Sequence, residues 1–340
     1  MKAVRIHEFG SPEVLKYEDA PDPVLRKDHV LIRVRACALN HLDLWVRGGL
    51  RGVTLPHILG SDVAGEVAEV GEYIIDVKPG TRVLLAPMVF CNHCEQCVAG
   101  HHNFCPQFAV LGNTVDGGNC EFIAIPRVNV IPIPDSLNFI DAASVPLVFL
   151  TAWHMLTSCA HLRAGQTVLV LGAGSGVGSA AIQIAKMLGA EVITTAGDER
   201  KLAKARELGA DHTIDHYKQK IADEVRRITN KQGVDIVFEH VGIATWPDSV
   251  RSLKPGGTLV TCGATTGYEA ALDLRVLFAK QISLLGSYMG EMGELHEVLK
   301  HVFTGKLKPV VDRTFPLSET RAAHEYLKKS EMFGKVVLTV

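Results

Sequence analysis

The sequence has no surplus of positive charge. Its 35 lysines and arginines stand against 37 aspartates and glutamates, and the formal net charge is −2 at pH 7. Proteins that bind nucleic acids or anionic membranes usually concentrate basic residues on one surface. We therefore expect a small-molecule substrate as the partner, and neither a nucleic acid nor a membrane.

Long apolar runs are also absent. The longest run, AASVPLVFLTAWHML, contains Pro146 and His154, and it is shorter than the roughly 20 residues that a membrane-spanning helix needs. The first residues, MKAVRIHEFGSPEVL, lack the apolar core of a secretory signal. These two absences favour a cytoplasmic protein.

Cysteine is sparse except in one segment, CNHCEQCVAGHHNFC. Its spacing is C-x2-C-x2-C-x7-C, formed by Cys91, Cys94, Cys97 and Cys105. Two-residue gaps allow neighbouring thiolates to surround one tetrahedral Zn²⁺, and four protein ligands leave no open position for a substrate. The pattern therefore predicts one structural zinc ion in a lobe at 91–105.

The alternatives for these cysteines are an iron–sulfur cluster, unpaired thiols, and disulfides, which a reducing compartment disfavours. His93, His101 and His102 belong to the same segment. Because four thiolates already complete a zinc shell, we expect these histidines to be solvated and not to act as ligands.

The pattern of apolar residues changes along the chain. Short alternating bursts such as HVLIRVRA dominate the first 126 residues and indicate a β-rich region. Residues 141–160 read as one largely buried helix. From 167 onward, short apolar strands alternate with amphipathic helices, which indicates a parallel sheet. We predict an α/β fold in which residues 1–126 and 290–340 form a β-rich domain, and residues 127–289 form a doubly wound domain.

A glycine-rich turn separates the first strand and helix of the second domain, in TVLVLGAGSGVGSAAIQIAK. Glycines let a pyrophosphate approach the backbone, and the helix N-terminus offers N–H groups to it. The register departs from G-x-G-x-x-G, but the strand–turn–helix context supports a dinucleotide site. The predicted contacts are Gly174, Ser175, Gly176, Val177 and Gly178.

The second strand of this domain, EVITTA, ends without the acidic residue that usually binds the ribose of NAD. Its absence leaves room for a 2′-phosphate, which Arg200 and Lys201 could pair with. Asp198 could still reach a ribose hydroxyl, so NADH is the alternative. We favour NADPH.

These motifs, together with PLVFLTAWHML, DGGNCEFIAIP and FGKVVLTV, resemble the medium-chain dehydrogenase/reductase superfamily over essentially the whole chain. The resemblance implies a GroES-like catalytic domain, split in sequence around a Rossmann domain, with the active site in the cleft between them. It also implies a homodimer or a homotetramer.

Further cofactor contacts follow from the resemblance and from the expectation that ligands bind at the carboxyl ends of parallel strands. They include a threonine near the nicotinamide, a wall beside its amide, and a basic residue near the phosphates. These predicted contacts are Thr151, Gly242, Gly263, Ala264, Leu285, Gly286, Ser287 and Lys335.

Zinc alcohol dehydrogenases of the family hold a second, catalytic zinc through a cysteine and a His-Glu pair. Here Asn40 takes the cysteine position, and Ser61 and Asp62 replace the pair. Asn and Ser are weak, neutral zinc ligands. This is the pattern of the quinone oxidoreductase branch, which lacks catalytic zinc and uses NADPH, although that branch usually also lacks the cysteine lobe.

An unconventional catalytic zinc site is the alternative for this region. His41, His57, Asp43 and Asp62 carry suitable ligand atoms, although catalytic zinc usually has three protein ligands in a more regular pattern.

The missing zinc ligands decide the predicted chemistry. Without a Lewis acid, an alcohol proton with a pKa of about 16 is hard to remove. Quinones and α,β-unsaturated carbonyls instead accept a hydride, because the charge delocalises onto an oxygen that a hydrogen-bond donor can stabilise. We predict an NADPH-dependent reductase of such compounds.

The alternatives are a zinc-dependent alcohol dehydrogenase with atypical ligands and a non-catalytic NADPH-binding protein. The candidate catalytic residues are Asn40, Asp43 and Tyr288. We expect Asn40 to face substrate and nicotinamide. Asp43 either orients the loop or has a surface or capping role, and Tyr288 is either a hydrogen-bond donor to the substrate or a packing residue.

Overall fold

The computed structural model describes all 340 residues and divides the chain into two compact units. Unit 1 comprises Met1–Leu147 and Glu291–Val340, and unit 2 comprises Val148–Gly290. No helix combines the length and the apolar character that crossing a bilayer requires.

Strands and helices are numbered in chain order. The strands are β1 Lys2–Ile6, β2 Leu15–Asp19, β3 His29–Ala38, β4 His57–Ile58, β5 Asp62–Val70, β6 Arg82–Leu85, β7 Met88–Val89, β8 Ala109–Val110, β9 Phe122–Pro126, β10 Val130–Pro132, β11 Thr167–Val170, β12 Glu191–Ala196, β13 His212–Asp215, β14 Val234–Glu239, β15 Leu253–Thr261, β16 Ser283–Gly286, β17 Val311–Pro316 and β18 Lys335–Thr339. The helices are α1 His41–Gly49, α2 Glu95–Val98, α3 Phe139–Ala143, α4 Pro146–His154, α5 Gly176–Met187, α6 Glu199–Glu207, α7 Ile221–Ile228, α8 Trp246–Ser252, α9 Leu274–Lys280, α10 Met292–Phe303 and α11 Thr320–Lys328.

Unit 1 is built around a seven-stranded sheet in the order β10-β6-β5-β3-β18-β17, with β9 also paired to β3. Strand β3 shows why this region is β-structured: Val30, Ile32 and Val34 are buried while Arg33, between them, is exposed. This period-two alternation matches a sheet with one covered face. The β-rich character predicted for the first domain is confirmed.

Unit 2 contains six parallel strands in the order β13-β12-β11-β14-β15-β16. The order reverses between β11 and β14, which is the switch point of a doubly wound fold. Leu169, Val237 and Leu259 are fully buried in its core, as expected of strands covered on both faces. The predicted α/β fold with a Rossmann-type sheet is confirmed.

The division between the units differs from the predicted boundaries at 126/127 and 289/290. Residues 127–147 belong to unit 1 because β10 pairs antiparallel with β6 and α3 packs against β3 and β5. A short apolar strand looks the same in sequence whichever sheet it joins, so its pairing partner decides the boundary.

The predicted single helix over 141–160 is also corrected. The chain forms α3, then α4, and then a π-helical turn over Met155–Cys159. Pro146 begins α4, because proline lacks the N–H that a continuous helix would need there. Asn138 caps α3, accepting a hydrogen bond from the Asp141 N–H at 2.8 Å.

Candidate functional site

Three adjacent strands of unit 1 bring together residues that are far apart in sequence. Asp62 begins β5 and lies opposite Ala38 of β3, which also pairs with Val337 of β18. Asn40 follows β3 by two residues, and Lys335 is the first residue of β18. All three side chains therefore gather at the same end of the sheet.

The side chains of Asn40, Asp62 and Lys335 form a closed set of hydrogen bonds, which we call the polar triad. Lys335 Nζ donates to Asn40 Oδ1 at 2.6 Å and to Asp62 Oδ2 at 2.8 Å. Asn40 Nδ2 donates to the same Asp62 oxygen at 2.9 Å. The Lys335 side chain is 4% exposed and that of Asp62 is 0% exposed, so this ion pair is buried.

Lys335 has a partner that the resemblance did not lead us to expect. Its ammonium is paired with a buried carboxylate in unit 1, and its place near the cofactor phosphates stays a prediction. The sequence carried no signal for this pair, because Asp62 and Lys335 are 273 positions apart.

The second oxygen of Asp62 connects the triad to helix α4. Asp62 Oδ1 accepts a hydrogen bond from the Leu147 N–H at 2.7 Å. Leu147 lies in the first turn of α4, where backbone N–H groups lack partners within the helix and a negative charge is favoured. Both Asp62 oxygens are thus occupied, and the carboxylate is held rigidly.

Asp43 is a positioning residue beside the triad. Its Oδ2 accepts the Asn40 N–H at 2.7 Å, and its Oδ1 accepts the Gly60 N–H at 3.0 Å. The side chain is fully buried, and burial raises its pKa to about 6. Asp43 ties together the two loops that carry Asn40 and Asp62.

Asn40 has both ends of its amide engaged in the triad and is 7% exposed. One N–H of its Nδ2 group is left over after the bond to Asp62. Tyr288 belongs to unit 2 and is 54% exposed, and its role as a donor stays a prediction.

The four cysteines of the lobe gather as their spacing predicts. The Sγ–Sγ distances are 3.6 Å for Cys91–Cys105 and 3.8 Å for both Cys91–Cys97 and Cys94–Cys105. A tetrahedral ion with Zn–S bonds of about 2.3 Å requires sulfurs about 3.8 Å apart. The donor set and its dimensions therefore fit Zn²⁺.

The alternative zinc ligands are not assembled. Outside the lobe, no three His, Cys, Asp or Glu side chains bring ligand atoms close enough to share an ion. His57 lies with Nδ1 at 3.3 Å from Asp116 Oδ1, and both oxygens of Asp43 and of Asp62 already accept hydrogen bonds.

We expected the histidines of the lobe to be solvated, but two of them contact other side chains or backbone groups of unit 1. His101 Nδ1 lies 2.7 Å from Glu291 Oε1. His102 Nδ1 accepts the Met292 N–H at 3.4 Å, and its ring packs on Phe90 with centroids 4.3 Å apart. These contacts attach the lobe to the start of α10, where the chain re-enters unit 1.

The glycine-rich turn of unit 2 has a geometry that only glycine permits. Gly172 has φ of 62°, and a Cβ on Gly178 would lie 2.3 Å from the Gly172 carbonyl oxygen. Ser175 caps α5 by accepting the Gly178 N–H at 2.8 Å. The turn thus brings bare backbone to the N-terminus of α5, which fits a pyrophosphate cradle.

Glu239, which was not predicted from the sequence, holds the loop that follows β14 in unit 2. Glu239, at the end of β14, is fully buried and accepts the Val241 and Gly242 N–H groups at 2.6 and 3.1 Å and the Ser249 hydroxyl at 2.5 Å. Its only sequence signal is an acid that ends an apolar strand. Gly242, a predicted cofactor contact, is positioned by this carboxylate.

Ser287, beyond β16, supports a polar ligand at the same sheet edge. Its N–H donates to the Thr261 carbonyl at 2.8 Å, while its buried hydroxyl has no hydrogen-bond partner in the protein. Buried polar atoms normally have partners, so this hydroxyl fits a bound group such as the predicted nicotinamide amide.

The end of β12 has two neighbours that were not among the predicted contacts. A Cβ on Gly197 would lie 2.5 Å from the Tyr217 ring and 3.2 Å from His216 Nε2. Asp198 caps α6, accepting the Lys201 N–H at 2.9 Å, so one of its oxygens is engaged. Burial lowers the pKa of His216, while Arg200 is exposed.

Comparisons with known proteins bear on both units. A family model for the alcohol dehydrogenase GroES-like domain matches residues 26–135, and one for zinc-binding dehydrogenases matches residues 176–304. A quinone oxidoreductase from Rattus norvegicus is 31% identical over 348 residues, covering 99% of this chain and 97% of the relative.

Two solved structures illustrate the range of similar proteins. A crystal structure of an NAD-dependent alcohol dehydrogenase has a TM-score of 0.97 and 43% identity, and the match covers 100% of both chains. A crotonyl-CoA carboxylase/reductase in complex with NADP has a TM-score of 0.93 and 25% identity, covering 100% of this chain and 95% of the other.

Proposed function

The chain belongs to the medium-chain dehydrogenase/reductase superfamily and is an oxidoreductase of that type, and from this premise we propose that it reduces quinones or α,β-unsaturated carbonyls with NADPH. The observation that carries the proposal is the polar triad. At the positions where zinc alcohol dehydrogenases carry catalytic zinc ligands, this chain has Asn40 and Asp62, bonded to the ammonium of Lys335.

The triad supports a substrate that is already electrophilic. A Zn²⁺ ion activates an alcohol by lowering the pKa of the bound hydroxyl, and the amide of Asn40 is a weak zinc ligand. Hydride addition to a quinone or a conjugated alkene needs no such deprotonation. It needs hydrogen-bond donors for the oxygen that becomes negative, and Asn40 and Lys335 carry N–H groups of that kind.

When bound, the nicotinamide would supply the hydride. The turn from Gly172 to Gly178 would hold the pyrophosphate, and Ser287 would bond to the amide of the ring. Arg200, Lys201 and His216 are the candidates for the 2′-phosphate of NADPH. The remaining predicted contacts, at the same strand ends or on α4, are Thr151, Gly242, Gly263, Ala264, Leu285 and Gly286.

The proposal includes one structural Zn²⁺ on Cys91, Cys94, Cys97 and Cys105, whose sulfur distances suit the ion. The ion would hold the lobe together. Because four thiolates fill its coordination shell, no step of the reaction would involve it.

The relatives support the proposal in part and also favour a second candidate. The names of the quinone oxidoreductase at 31% identity and of the crotonyl-CoA carboxylase/reductase bound to NADP both include an electrophilic substrate. The structure at 43% identity is an NAD-dependent alcohol dehydrogenase, which favours NAD-linked alcohol oxidation as the alternative.

A kinetic screen separates the two. The purified protein is assayed with NADPH and NADH against quinones and enones, and with both oxidised cofactors against alcohols. We expect reduction with NADPH and little alcohol oxidation. Faster alcohol oxidation with NAD⁺ would support the alternative.

The Arg200→Ala variant should raise the KM for NADPH by about 10-fold, in line with the loss of one charge-assisted hydrogen bond, and leave the KM for NADH nearly unchanged. Equal changes in the KM values for NADPH and NADH would reject the contact between Arg200 and the 2′-phosphate.

A further inference from the structure

We propose that Lys335 is a catalytic residue, which stabilises the substrate oxygen that becomes negative when a hydride is added. This inference rests on the proposed reductase function and deepens it. It assigns to a side chain of this protein the electrophilic role that a metal ion plays in zinc-dependent relatives, and it gives Lys335 a task other than binding cofactor phosphates.

The hydrogen-bond count at the ammonium leaves one donor for a substrate. An ammonium group has three N–H donors. Two of them go to Asn40 Oδ1 at 2.6 Å and Asp62 Oδ2 at 2.8 Å. The third has no acceptor in the protein. A buried donor without a partner is unusual, so a ligand oxygen is the natural acceptor at this point.

The ammonium is also held in place. Lys335 begins β18, which pairs with β3 through Val337 and Ala38, and its side chain is 4% exposed. Asp62, its main partner, is fixed from the other side by the Leu147 N–H at 2.7 Å. A donor that does not have to reorganise during the reaction stabilises developing charge more effectively than a mobile one.

Asn40 extends the same site. After donating to Asp62 at 2.9 Å, its Nδ2 group retains one N–H. The Asn40 backbone is held by Asp43 at 2.7 Å. Lys335 and Asn40 thus each retain one N–H donor, the kind of group that stabilises an oxygen that becomes negative.

The step balances without a metal. A hydride adds to the β-carbon of an enone, the carbon–carbon double bond electrons move, and the carbonyl oxygen becomes an enolate oxygen that accepts the Lys335 N–H. Water then protonates the α-carbon, and the ammonium keeps its protons. For a quinone, the hydroquinone monoanion takes the place of the enolate and is protonated by water.

A phenolate probe tests this assignment without turnover. para-Nitrophenol resembles the product monoanion, and its visible absorbance reports its ionisation. Bound to the wild-type enzyme with NADPH, whose reduced ring is uncharged, it should ionise at a lower pH than it does in water. An unchanged or higher apparent pKa of the bound phenol would overturn the proposal.

The matched variant is Lys335→Met combined with Asp62→Asn, which removes both charges of the buried pair together. We expect kcat for enone reduction to fall about 10²–10³-fold, the effect of losing an oxyanion donor. The KM for NADPH should stay near its wild-type value, and bound nitrophenol should lose its preference for the ionised form. Lys300→Met, an exposed lysine paired with Glu297, is the control and should leave all three quantities unchanged.

The outcomes separate the possible failures. If the wild-type enzyme reduces no quinone or enone, the proposed function fails. If it does, but the double variant keeps its kcat and only raises the KM for NADPH, Lys335 is a phosphate contact and the inference alone is rejected. Thermal melting of both variants verifies that they are folded.

Discussion

The cysteine lobe and the polar triad lie in the same unit but differ in charge balance: the lobe lacks a cation of its own, and the triad contains one. The lobe gathers four thiols that can become anions. Burial raises the pKa of Cys97 to about 12, whereas hydrogen bonds from the backbone lower that of Cys91 to about 6, so a full set of thiolates requires a cation from outside. The triad contains its own cation, because Lys335 is paired with Asp62. Clustered ligands of one charge indicate a metal site, whereas a cluster with balanced charge is complete without one.

The two regions also differ in how the chain builds them. The lobe is a continuous segment in which neighbouring cysteines are separated by two to seven residues. The triad joins three strands of one sheet, and two of its members are 295 positions apart. The lobe is therefore expected to depend on its ion, and the triad on the packing of the whole unit.

The largest effect should come from removing one ligand of the lobe. Cys94→Ser should lower the zinc content from about one ion per chain to nearly none. Because the binding energy of a structural zinc contributes to folding stability, unfolding should become easier by several kcal/mol. Metal analysis and urea denaturation measure both. Retained zinc with unchanged stability would contradict the assignment of the lobe, and Cys159→Ser, outside the lobe, is the control.

A smaller effect is expected from breaking the triad. Lys335→Met leaves the Asp62 charge buried without a partner, which should cost about 3–5 kcal/mol of unfolding free energy. Adding Asp62→Asn removes that charge and should recover at least about 1 kcal/mol. A double-mutant cycle by urea denaturation measures the coupling. Additive losses would mean that the pair is not an interacting unit.

The smallest effect should come from Asp43, a carboxylate beside the triad that has no bonded cation. Its folded-state pKa of about 6 lies above the ordinary value of 3.8, so the folded state holds the proton more tightly. The stabilising contribution is therefore fully present below about pH 4 and is lost as pH rises through 6, by at most about 2–3 kcal/mol.

Asp43→Asn isolates this contribution, because an amide does not titrate. The unfolding free energy of the wild type minus that of the variant should decrease between pH 4 and pH 7, as measured by urea denaturation at each pH. A difference that stays constant across this range would show that Asp43 is ionised throughout.

Much of the fold could be predicted because its signals are local. The alternation of the buried Val30, Ile32 and Val34 with more exposed residues indicates a half-covered strand, and the apolar strands of unit 2 indicate a sheet covered on both faces. The break at Pro146 was missed because the apolar run continues across it. The boundary of unit 2 was missed because β10 could be assigned to unit 1 only from its pairing with β6.

The candidate site likewise has features that a short segment reveals and contacts that only the fold reveals. The cysteines and the glycine-rich turn were identified because ligand spacing and backbone freedom are properties of a short segment. The contacts of His101 with Glu291 and of Asp62 with Leu147 were not, since the partners are remote in sequence. The pairing of Lys335 with Asp62 could not be predicted for the same reason.

By itself, the sequence determined which chemical groups are present: a tetrahedral set of thiols, a turn that only glycine can form, and an amide and a serine where zinc ligands would otherwise stand. These are properties of residue type and spacing. Only the tertiary structure decided that the carboxylate of Asp62 is matched by the ammonium of Lys335, because that pairing depends on the register of β3, β5 and β18. Charge balance is a property of the assembled sheet, and no single segment contains it.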